Sequence, residues 1–303
     1  MTAPASSPPA VRVGFAIGLV CLAAFTFAIL FALVKSLDGR FHPMQTLLMR
    51  HGIGFALSLP FVLRAGRQAW VTDRPGAHAL RAVYGLVSTV LLFYAVAHMP
   101  LATATAISFS MPLFLTLLSM PLLGERVGWR RATATVVGFG GVLIVVDPGG
   151  GLGLAALAAL ASAVFYALAV IAVRQLGRTE PAARVYVYYC LANIVVCGLA
   201  MPWLWVQPAP EDWAIFLGIG ALGAAAQYCF IMAYRSAPAT IIAPFDYAQI
   251  PFALAIGWLV WRELPLTQSF LGGAIIVASG LYIWRRESRL AAAAEGVTPG
   301  RAG

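Results

Sequence analysis

Acidic residues and histidines are the side chains of this sequence that could supply acid–base or metal chemistry. The chain has eleven acids and four histidines, and the histidines are His42, His51, His78 and His98. They lie on different apolar segments, and no two have the spacing of a shared metal site. An enzyme working within a membrane needs clustered acids, bases or metal ligands. The sequence therefore predicts no catalytic centre, no bound metal and no cofactor.

Asp246 is the one acid well inside an apolar run, whereas the other acids lie at or beyond the ends of such runs. An ionised carboxylate in mid-bilayer costs roughly 2.5–3.5 kcal/mol, so it must face protein or water. It could bind a substrate amine or a proton. It could instead cap backbone amides freed near Pro244, or reach cytoplasmic water. Gln249 lies three residues further on and shares its helix face, which favours a polar lining.

Two cations also lie within or at the end of apolar runs. Arg50 lies about two turns inside the second run, too deep to reach the interface comfortably. It could hold backbone carbonyls at a broken helix or bind a substrate carboxylate, and the sequence leaves both roles open. Lys35 ends the first run, and we expect its side chain to extend to the outer interface.

Two similar stretches, residues 98–126 and 236–264, are expected to position these groups. Each has a proline near its entry, a second proline in its middle and an acid at its exit. The corresponding positions lie 138 or 139 residues apart, which is close to half the chain. We expect Pro112 and Pro251 to break their helices, because proline lacks an N–H group and clashes with the preceding turn.

Composition places most of the chain in lipid. Hydrophobic residues make up 61% and charged residues 10%, whereas soluble domains carry roughly 25% charged residues. The net charge of +9 comes from 19 arginines and one lysine, spread between apolar runs rather than gathered in a patch. That distribution predicts the lipid bilayer as a partner and argues against nucleic acid.

Ten apolar runs of about twenty residues predict an all-α polytopic membrane protein with ten transmembrane helices. If the N-terminus is cytoplasmic, sixteen of the twenty cations, Arg81 among them, fall on the cytoplasmic side, so both termini are predicted there. Because five is odd, the two five-helix halves would cross the membrane in opposite directions, as in many transporters. The predicted units are a disordered tail (1–11), repeat 1 (12–147), repeat 2 (148–286) and a second disordered tail (287–303).

Polar and aromatic side chains near the two middle prolines predict the lining of a cavity. They include Tyr84, Ser88, Ser108, Ser162, Tyr166, Tyr189, Gln227 and Tyr247. Such a cavity is apolar, with a few hydroxyls and amides and without a strong charge. It suits a neutral or zwitterionic solute with an apolar side chain. An inorganic ion or a nucleotide sugar would need a cluster of buried arginines.

Together these features resemble the EamA-type ten-helix members of the drug/metabolite transporter superfamily. The residues that carry the resemblance are Met49-Arg50-His51, Leu123-Gly124-Glu125-Arg126 and its echo Arg262-Glu263-Leu264. The resemblance covers residues 12–286. Within the superfamily the sequence is most similar to the YddG-type exporters of bacterial inner membranes, which export aromatic and other neutral amino acids. It departs from symmetry at the second exit turn, where Trp261 stands in place of an aliphatic residue.

The resemblance implies a central cavity built mainly from spans 3, 4, 8 and 9. The expected substrate contacts are Tyr84, Ser108, Met111, Gln227 and Tyr247, with Asp246, Gln249 and Arg50 as further polar groups. The expected function is export of neutral amino acids, or related small amphiphilic metabolites, from cytoplasm to periplasm by alternating access, with the protein acting as a monomer. Two alternatives stay open: an exporter of drugs, nucleobases or other metabolites, and a membrane protein that does not transport.

Overall fold

The computed structural model describes residues 10–64, 66, 70–123, 128–146, 153–176, 179–236, 243–264 and 267–296. Within these ranges every regular element is a helix. The elements are α1 (Ala10–Ser36), α2 (Pro43–Arg64), α3 (Pro75–His98), α4 (Leu101–Ser108), α5 (Met111–Leu123), α6 (Trp129–Val146), α7 (Leu154–Leu176), α8 (Ala182–Leu204), α9 (Pro210–Ser236), a 3-10 helix (Ala243–Ala248), α10 (Gln249–Trp261) and α11 (Thr267–Gly296).

Most of these helices have the length and composition of membrane spans. Seven candidate spans occur in the part of the chain that the structure describes, and the apolar part of α6, Ala132–Val146, is shorter. Large apolar side chains such as Leu199 and Trp203 point outward, and Trp203 is 83% exposed. Exposed apolar surface on this scale is stable in lipid and costly in water. The chain is therefore a polytopic membrane protein, and its division into ten spans stays a prediction.

The segment predicted as the fourth span is interrupted at Phe109 and Ser110, between α4 and α5. Pro112 is the second residue of α5 and has no N–H to donate to the carbonyl of Ser108. The N–H of Ser110 instead donates to the carbonyl of Ile107 over 2.9 Å, a tighter turn than an α-helix makes. The interruption therefore precedes the proline that was expected to mark it.

The segment predicted as the ninth span is interrupted in a similar place. Its 3-10 helix leads directly into α10, in which Pro251 is the third residue. Here too the irregular backbone lies upstream of the proline. Helices α5 and α10 each contain 13 residues, and both of their ends are 138 positions apart. The spacing read from the sequence thus recurs in the helix boundaries.

Helix packing is reciprocal between the two halves of the chain. Helix α1 packs on α9, and α3 packs on α7. Exchanging the halves converts one of these pairs into the other. The α2–α8 and α6–α11 pairs are each converted into themselves. Gly141 and Gly272 allow the close approach of α6 and α11, since a Cβ on Gly141 would lie 2.8 Å from the Gly272 carbonyl oxygen.

Two ring contacts join residues that are themselves 138 positions apart. The rings of Phe109 and Tyr247 lie 4.9 Å apart, and those of His51 and Tyr189 lie 5.0 Å apart. A residue that touches its own counterpart lies beside the axis relating the two copies. The pseudo-twofold relation suggested by these contacts therefore passes next to the break between α4 and α5 and next to His51.

The described helices extend further towards both ends of the chain than predicted. Helix α11 continues to Gly296, so residues 287–296, expected to be disordered, lie in a helix. Four of these ten residues are alanine, which has the highest helix propensity. Helix α1 begins at Ala10. The remaining terminal residues, 1–9 and 297–303, lie outside the described ranges.

Candidate functional site

Helices α2, α3 and α8 converge on the ring of Tyr189. The guanidinium carbon of Arg81 lies 4.2 Å from the centroid of that ring, within cation–π range. The ring of His51 meets Tyr189 edge to face at 5.0 Å. His51 is only 7% exposed. Three side chains with polar groups therefore meet inside a bundle whose outer surface is apolar.

Gly85 provides the space that Arg81 occupies. A Cβ on Gly85 would overlap Nη1 of Arg81 and would lie 2.6 Å from Cε2 of Tyr189. The guanidinium thus lies beside residue 85, about 15 Å along α3 from Pro75 at 1.5 Å per residue. The prediction that Arg81 lies on the cytoplasmic side was wrong for its charged group. Helix α3 begins at Pro75, and the long side chain of Arg81 runs inward along it.

Arg50 approaches the same region from α2. Its guanidinium carbon lies 5.8 Å from the ring centroid of Phe93. A Cβ on Gly223 of α9 would lie 3.1 Å from its Nε. Gly85 and Gly223 are 138 positions apart, so α3 and α9 each use the equivalent glycine to admit an arginine. A cluster of this kind was not expected in a cavity predicted to lack strong charge.

The ion pairs found among the described residues are those of Lys35, Arg40, His78 and Arg184, with neither Arg50 nor Arg81 among them. Nε and Nη1 of Arg81 and Nε2 of His51 are buried without a hydrogen-bond partner. A buried donor left unpaired costs about 1–3 kcal/mol, and more when it is charged. These groups are therefore arranged to receive an acceptor, preferably an anionic one.

Tyr166 of α7 connects this cluster with the second half of the chain. Helix α7 packs on α3, which carries Arg81, and Tyr166 is 47% exposed. Its hydroxyl lies within electrostatic range of Arg81 and Asp246. We refer to Arg50, His51, Arg81, Tyr166 and Tyr189, with Asp246, as the central cluster.

The residues predicted to contact substrate surround the central cluster without forming a single contact set. The ring of Tyr84 lies 6.4 Å from that of Phe165 on α7. Ser108 donates its hydroxyl to the carbonyl of Ala104, 2.9 Å away on its own helix. Tyr247 packs against Phe109 and Gly280. The others are all partly buried: Met111, Gln227, Asp246 and Gln249.

Arg81 and Gly85 are the residues that sequence reasoning missed. The available signal was an arginine placed one helical turn before a glycine in an apolar run, which leaves room for its side chain on the same helix face. That signal is weak by itself, because an arginine near a span end usually extends to the interface. Only Tyr189, which comes from α8, makes the inward position favourable.

A second cavity, the outer cavity, opens at the end of the bundle predicted to face the periplasm. Its volume is about 540 Å³, and its wall includes Phe41, His42, Phe93, Tyr94 and His98. Phe93 is only 1% exposed and is also the ring that Arg50 approaches. The ring of Phe93 therefore stands between the outer cavity and Arg50.

Lys35 closes the same end of the bundle. Its Nζ donates to the carbonyl of Met99 over 2.8 Å and pairs with Oε1 of Glu263 at 2.9 Å. Arg262, in the left-handed region at φ 59°, ends α10 and turns Glu263 towards α1. Lys35 is 9% exposed, so it does not extend to the interface as predicted. The ion pair joins the ends of α1, α3 and α10.

Further polar ties hold the two ends of the bundle. At the Lys35 end, Asp212 accepts hydrogen bonds from Arg40 over 2.7 and 3.3 Å. At the opposite end, Glu180 accepts from Thr72 over 2.8 Å and from Arg184. Burial acts to raise the pKa of Glu180, but the hydrogen bonds from Arg184 and Thr72 outweigh it, so the pKa lies below its usual value.

Apolar helices, two interrupted segments and a polar centre define the class of protein as a polytopic membrane transporter of small molecules. The family model described as the EamA-like transporter family matches residues 14–147 and 153–285. The chain therefore belongs to this family, which is part of the drug/metabolite transporter superfamily. Its members are transporters, which supports a non-enzymatic role.

Several relatives are known by function. The riboflavin transporter of Rhizobium johnstonii is 33% identical over 79% of this chain and 80% of its own length. The pseudopaline exporter CntI of Pseudomonas aeruginosa is 34% identical over 88% of this chain and 95% of its own. The S-adenosylmethionine uptake transporter of Rickettsia bellii is 27% identical over 84% of this chain and 88% of its own.

A crystal structure shares the fold, with a TM-score of 0.61 and 22% identity over 90% of this chain and 98% of its own. The structure supports the fold alone, whereas the three named relatives are all transporters of small metabolites. They do not single out the YddG-type amino acid exporters, so that narrower resemblance is not shown.

Proposed function

We propose that this protein is a multi-pass transporter of the bacterial inner membrane, acting as a monomer. It moves a small amphiphilic metabolite through its centre by alternating access. The observation that carries the proposal is the central cluster. Polar and charged side chains from four helices meet inside the bundle, close to the contact between Phe109 and Tyr247.

The proposed architecture is an inverted repeat of residues 12–147 and 148–286, with ten spans and both termini in the cytoplasm. The equal lengths of α5 and α10, the reciprocal helix pairs and the ring contacts between counterparts support it. A chain that repeats one unit in opposite orientations has two nearly equivalent packings. Exchanging one packing for the other exposes the central site first to one face and then to the other.

In this scheme the outer end of the bundle is closed. The Lys35–Glu263 pair and the ring of Phe93 separate the central cluster from the outer cavity. Release to the periplasm then requires α1 and α10 to separate at that ion pair. Irregular backbone at residues 109–110 and 243–248 lies where the interrupted segments would bend.

For the substrate, we propose aromatic and other neutral amino acids, moved outward. The carboxylate would lie towards Arg50 and Arg81, the ammonium group towards Asp246, and the side chain against Tyr166 and Tyr189. The outward direction draws support from the pseudopaline exporter, which matches over 95% of its length. The second candidate is a larger aromatic metabolite, favoured by the riboflavin transporter among the relatives.

Transport in reconstituted vesicles tests both candidates. Proteoliposomes that contain the purified protein are loaded with labelled phenylalanine or with riboflavin. Release of the compound is measured and compared with release from vesicles that lack protein. We expect release of one of the two, inhibited by an excess of the same unlabelled compound. Release equal to that of empty vesicles, across both compounds and a panel of neutral amino acids, would defeat the substrate assignments.

A further inference from the structure

The charges of the central cluster come unequally from the two halves of the chain. Both arginines belong to the first half, and their counterparts 138 positions later are the uncharged residues Tyr188 and Ile219. The acid belongs to the second half, and the counterpart of Asp246 is Ser108. The cavity is therefore electrically polarised, with two permanent cations facing one carboxylate.

Arg81 has open hydrogen-bonding capacity at this position. Its face is covered by the ring of Tyr189, 4.2 Å from the guanidinium carbon, while Nε and Nη1 lack partners. Stacking on a ring leaves the N–H groups in the guanidinium plane free to bind a planar acceptor. A carboxylate matches that plane and can take two N–H groups at once.

Arg50 adds a second positive charge to the same region. Arg50 directly precedes His51, whose ring meets that of Tyr189 at 5.0 Å, and Arg81 stacks on the same Tyr189 ring at 4.2 Å, so both arginines belong to one region of the bundle. Two like charges in a poorly hydrated interior repel each other, and an anion placed between them removes that cost. Together with Asp246 they leave an excess of one positive charge, which a ligand of charge −1 neutralises.

We propose that Arg81 and Arg50 form a carboxylate-binding subsite for an organic anion whose aromatic body lies against Tyr189 and Tyr166. The subsite makes a ligand of net charge −1 preferred over a zwitterion, and a zwitterion over a cation. The inference rests on the proposed function, since it concerns the same cavity. It departs from the amino acid assignment, because it makes a net charge of −1, rather than the zwitterion of a neutral amino acid, the main determinant of selection.

Three probes with the same aromatic ring separate these cases. They are N-acetyl-L-phenylalanine with charge −1, L-phenylalanine as a zwitterion, and L-phenylalaninamide with charge +1. Binding is measured by calorimetry and by thermal shift on the full chain in phosphatidylcholine nanodiscs, whose lipid carries no net charge. We expect affinity to fall in that order, by at least about tenfold between the first probe and the last.

Variants then assign the preference to the arginines. In Arg81→Gln and Arg50→Gln we expect N-acetyl-L-phenylalanine to bind at least about tenfold more weakly, while L-phenylalaninamide is unaffected or binds more tightly. Arg81→Lys retains the charge but not the planar fork, so its loss should be smaller. The matched control is Arg130→Gln, an exposed arginine that lies over Trp129 at the start of α6.

Equal affinity for the three probes, or no binding of the acid, overturns the subsite. An unchanged affinity for the acid in both arginine variants does the same. If a glutamine variant fails to fold, the order of probe affinities on the wild-type chain and the affinities of the Arg81→Lys variant decide whether the subsite exists. Transport of phenylalanine or riboflavin without the charge order would remove this inference and leave the proposed function. If the three probes bind in the expected order but neither phenylalanine nor riboflavin is transported, the carboxylate subsite stands and the proposed function is removed.

Discussion

The two interrupted segments, α4–α5 and the 3-10 helix with α10, have matching backbones and different chemistry. Their second parts are both 13 residues long, and Phe109 touches its counterpart Tyr247. At the position just before these rings, however, the first segment has Ser108 and the second has Asp246. The hydroxyl of Ser108 donates to its own helix, whereas Asp246 places a partly buried carboxylate in the 3-10 helix.

The difference shows which features a duplicated membrane protein retains. Backbone groups in lipid must find partners within the protein, so an interruption that works in one half is kept in the other. A side chain that faces a cavity is under no such constraint. Charge can therefore be concentrated in one half, as it is at Arg81, whose counterpart is Ile219.

The largest expected effect comes from substituting Asp246, whose counterpart in the first segment is Ser108. We predict that Asp246→Asn lowers transport at least about tenfold and flattens its pH dependence if a proton is carried, because the cavity loses its one acid from the second half. Ser108→Ala should stay within about twofold, since its hydroxyl serves only its own helix. Vesicle transport at several pH values measures both. Unchanged transport and pH dependence in Asp246→Asn would reduce that residue to a structural role.

The equivalent glycines give the next comparison. We expect Gly85→Ala to destabilise the protein by about 1–3 kcal/mol, because the new methyl group overlaps Arg81 and Tyr189. In Gly223→Ala the nearest atom, Nε of Arg50, lies 3.1 Å away, so a smaller loss is expected. Thermal unfolding in one detergent compares the two variants. A greater loss in Gly223→Ala would contradict the position assigned to Arg81.

Removing the ion pair at the outer end tests its role in closure. Glu263→Gln removes the negative charge that lies 2.9 Å from Lys35 and leaves the buried ammonium group with neutral acceptors only, so we expect a loss of about 1–2 kcal/mol in stability. If the pair holds the outer end closed, a cysteine placed beside the central cluster should also react faster with a water-soluble thiol reagent added on the outer side. The double variant with Lys35→Met supplies the coupling energy. Additive effects of the two substitutions would show that the pair contributes nothing.

The smallest effect concerns Glu180 at the opposite end. Its pKa is lowered in the folded protein by Arg184 and Thr72, from the ordinary value of 4.5. Its ionised form therefore stabilises the fold above that value, and the contribution is lost as pH falls through the lowered pKa. We predict that the wild type loses more stability than Glu180→Gln between pH 5 and pH 3. The free energy of unfolding of both proteins is measured across this pH range, and an equal loss in the two would rule this out.

Much of the fold could be predicted because lipid imposes strong local rules. Apolar runs, the spacing of 138 residues and the prolines led to a helical membrane protein of the family later identified. The interruptions were misplaced by a few residues, since Pro112 is the second residue of α5 and does not lie in the gap. A proline is tolerated in the first turn of a helix, so it marks a nearby break without fixing its position.

The candidate site was less predictable because long side chains can turn either way. Arg50 and Asp246 were identified from their depth within apolar runs. Arg81 and Lys35 were assigned to the membrane faces, as their sequence positions favour. The structure turns Arg81 inward to the ring of Tyr189, and it pairs Lys35 with Glu263 at the outer end of the bundle. Those partners lie on helices distant in sequence, which no local pattern records.

The sequence by itself determined the lipid environment and the repeated unit, because these depend on composition and on the spacing of apolar runs. The transporter class came from the resemblance of its motifs to a known family, which the family model then confirmed. The tertiary structure alone decided which charges face the cavity, because an arginine side chain takes its direction from the neighbours that pack around it. In this protein Gly85 and Tyr189 provide the space and the surface that bring Arg81 to the centre.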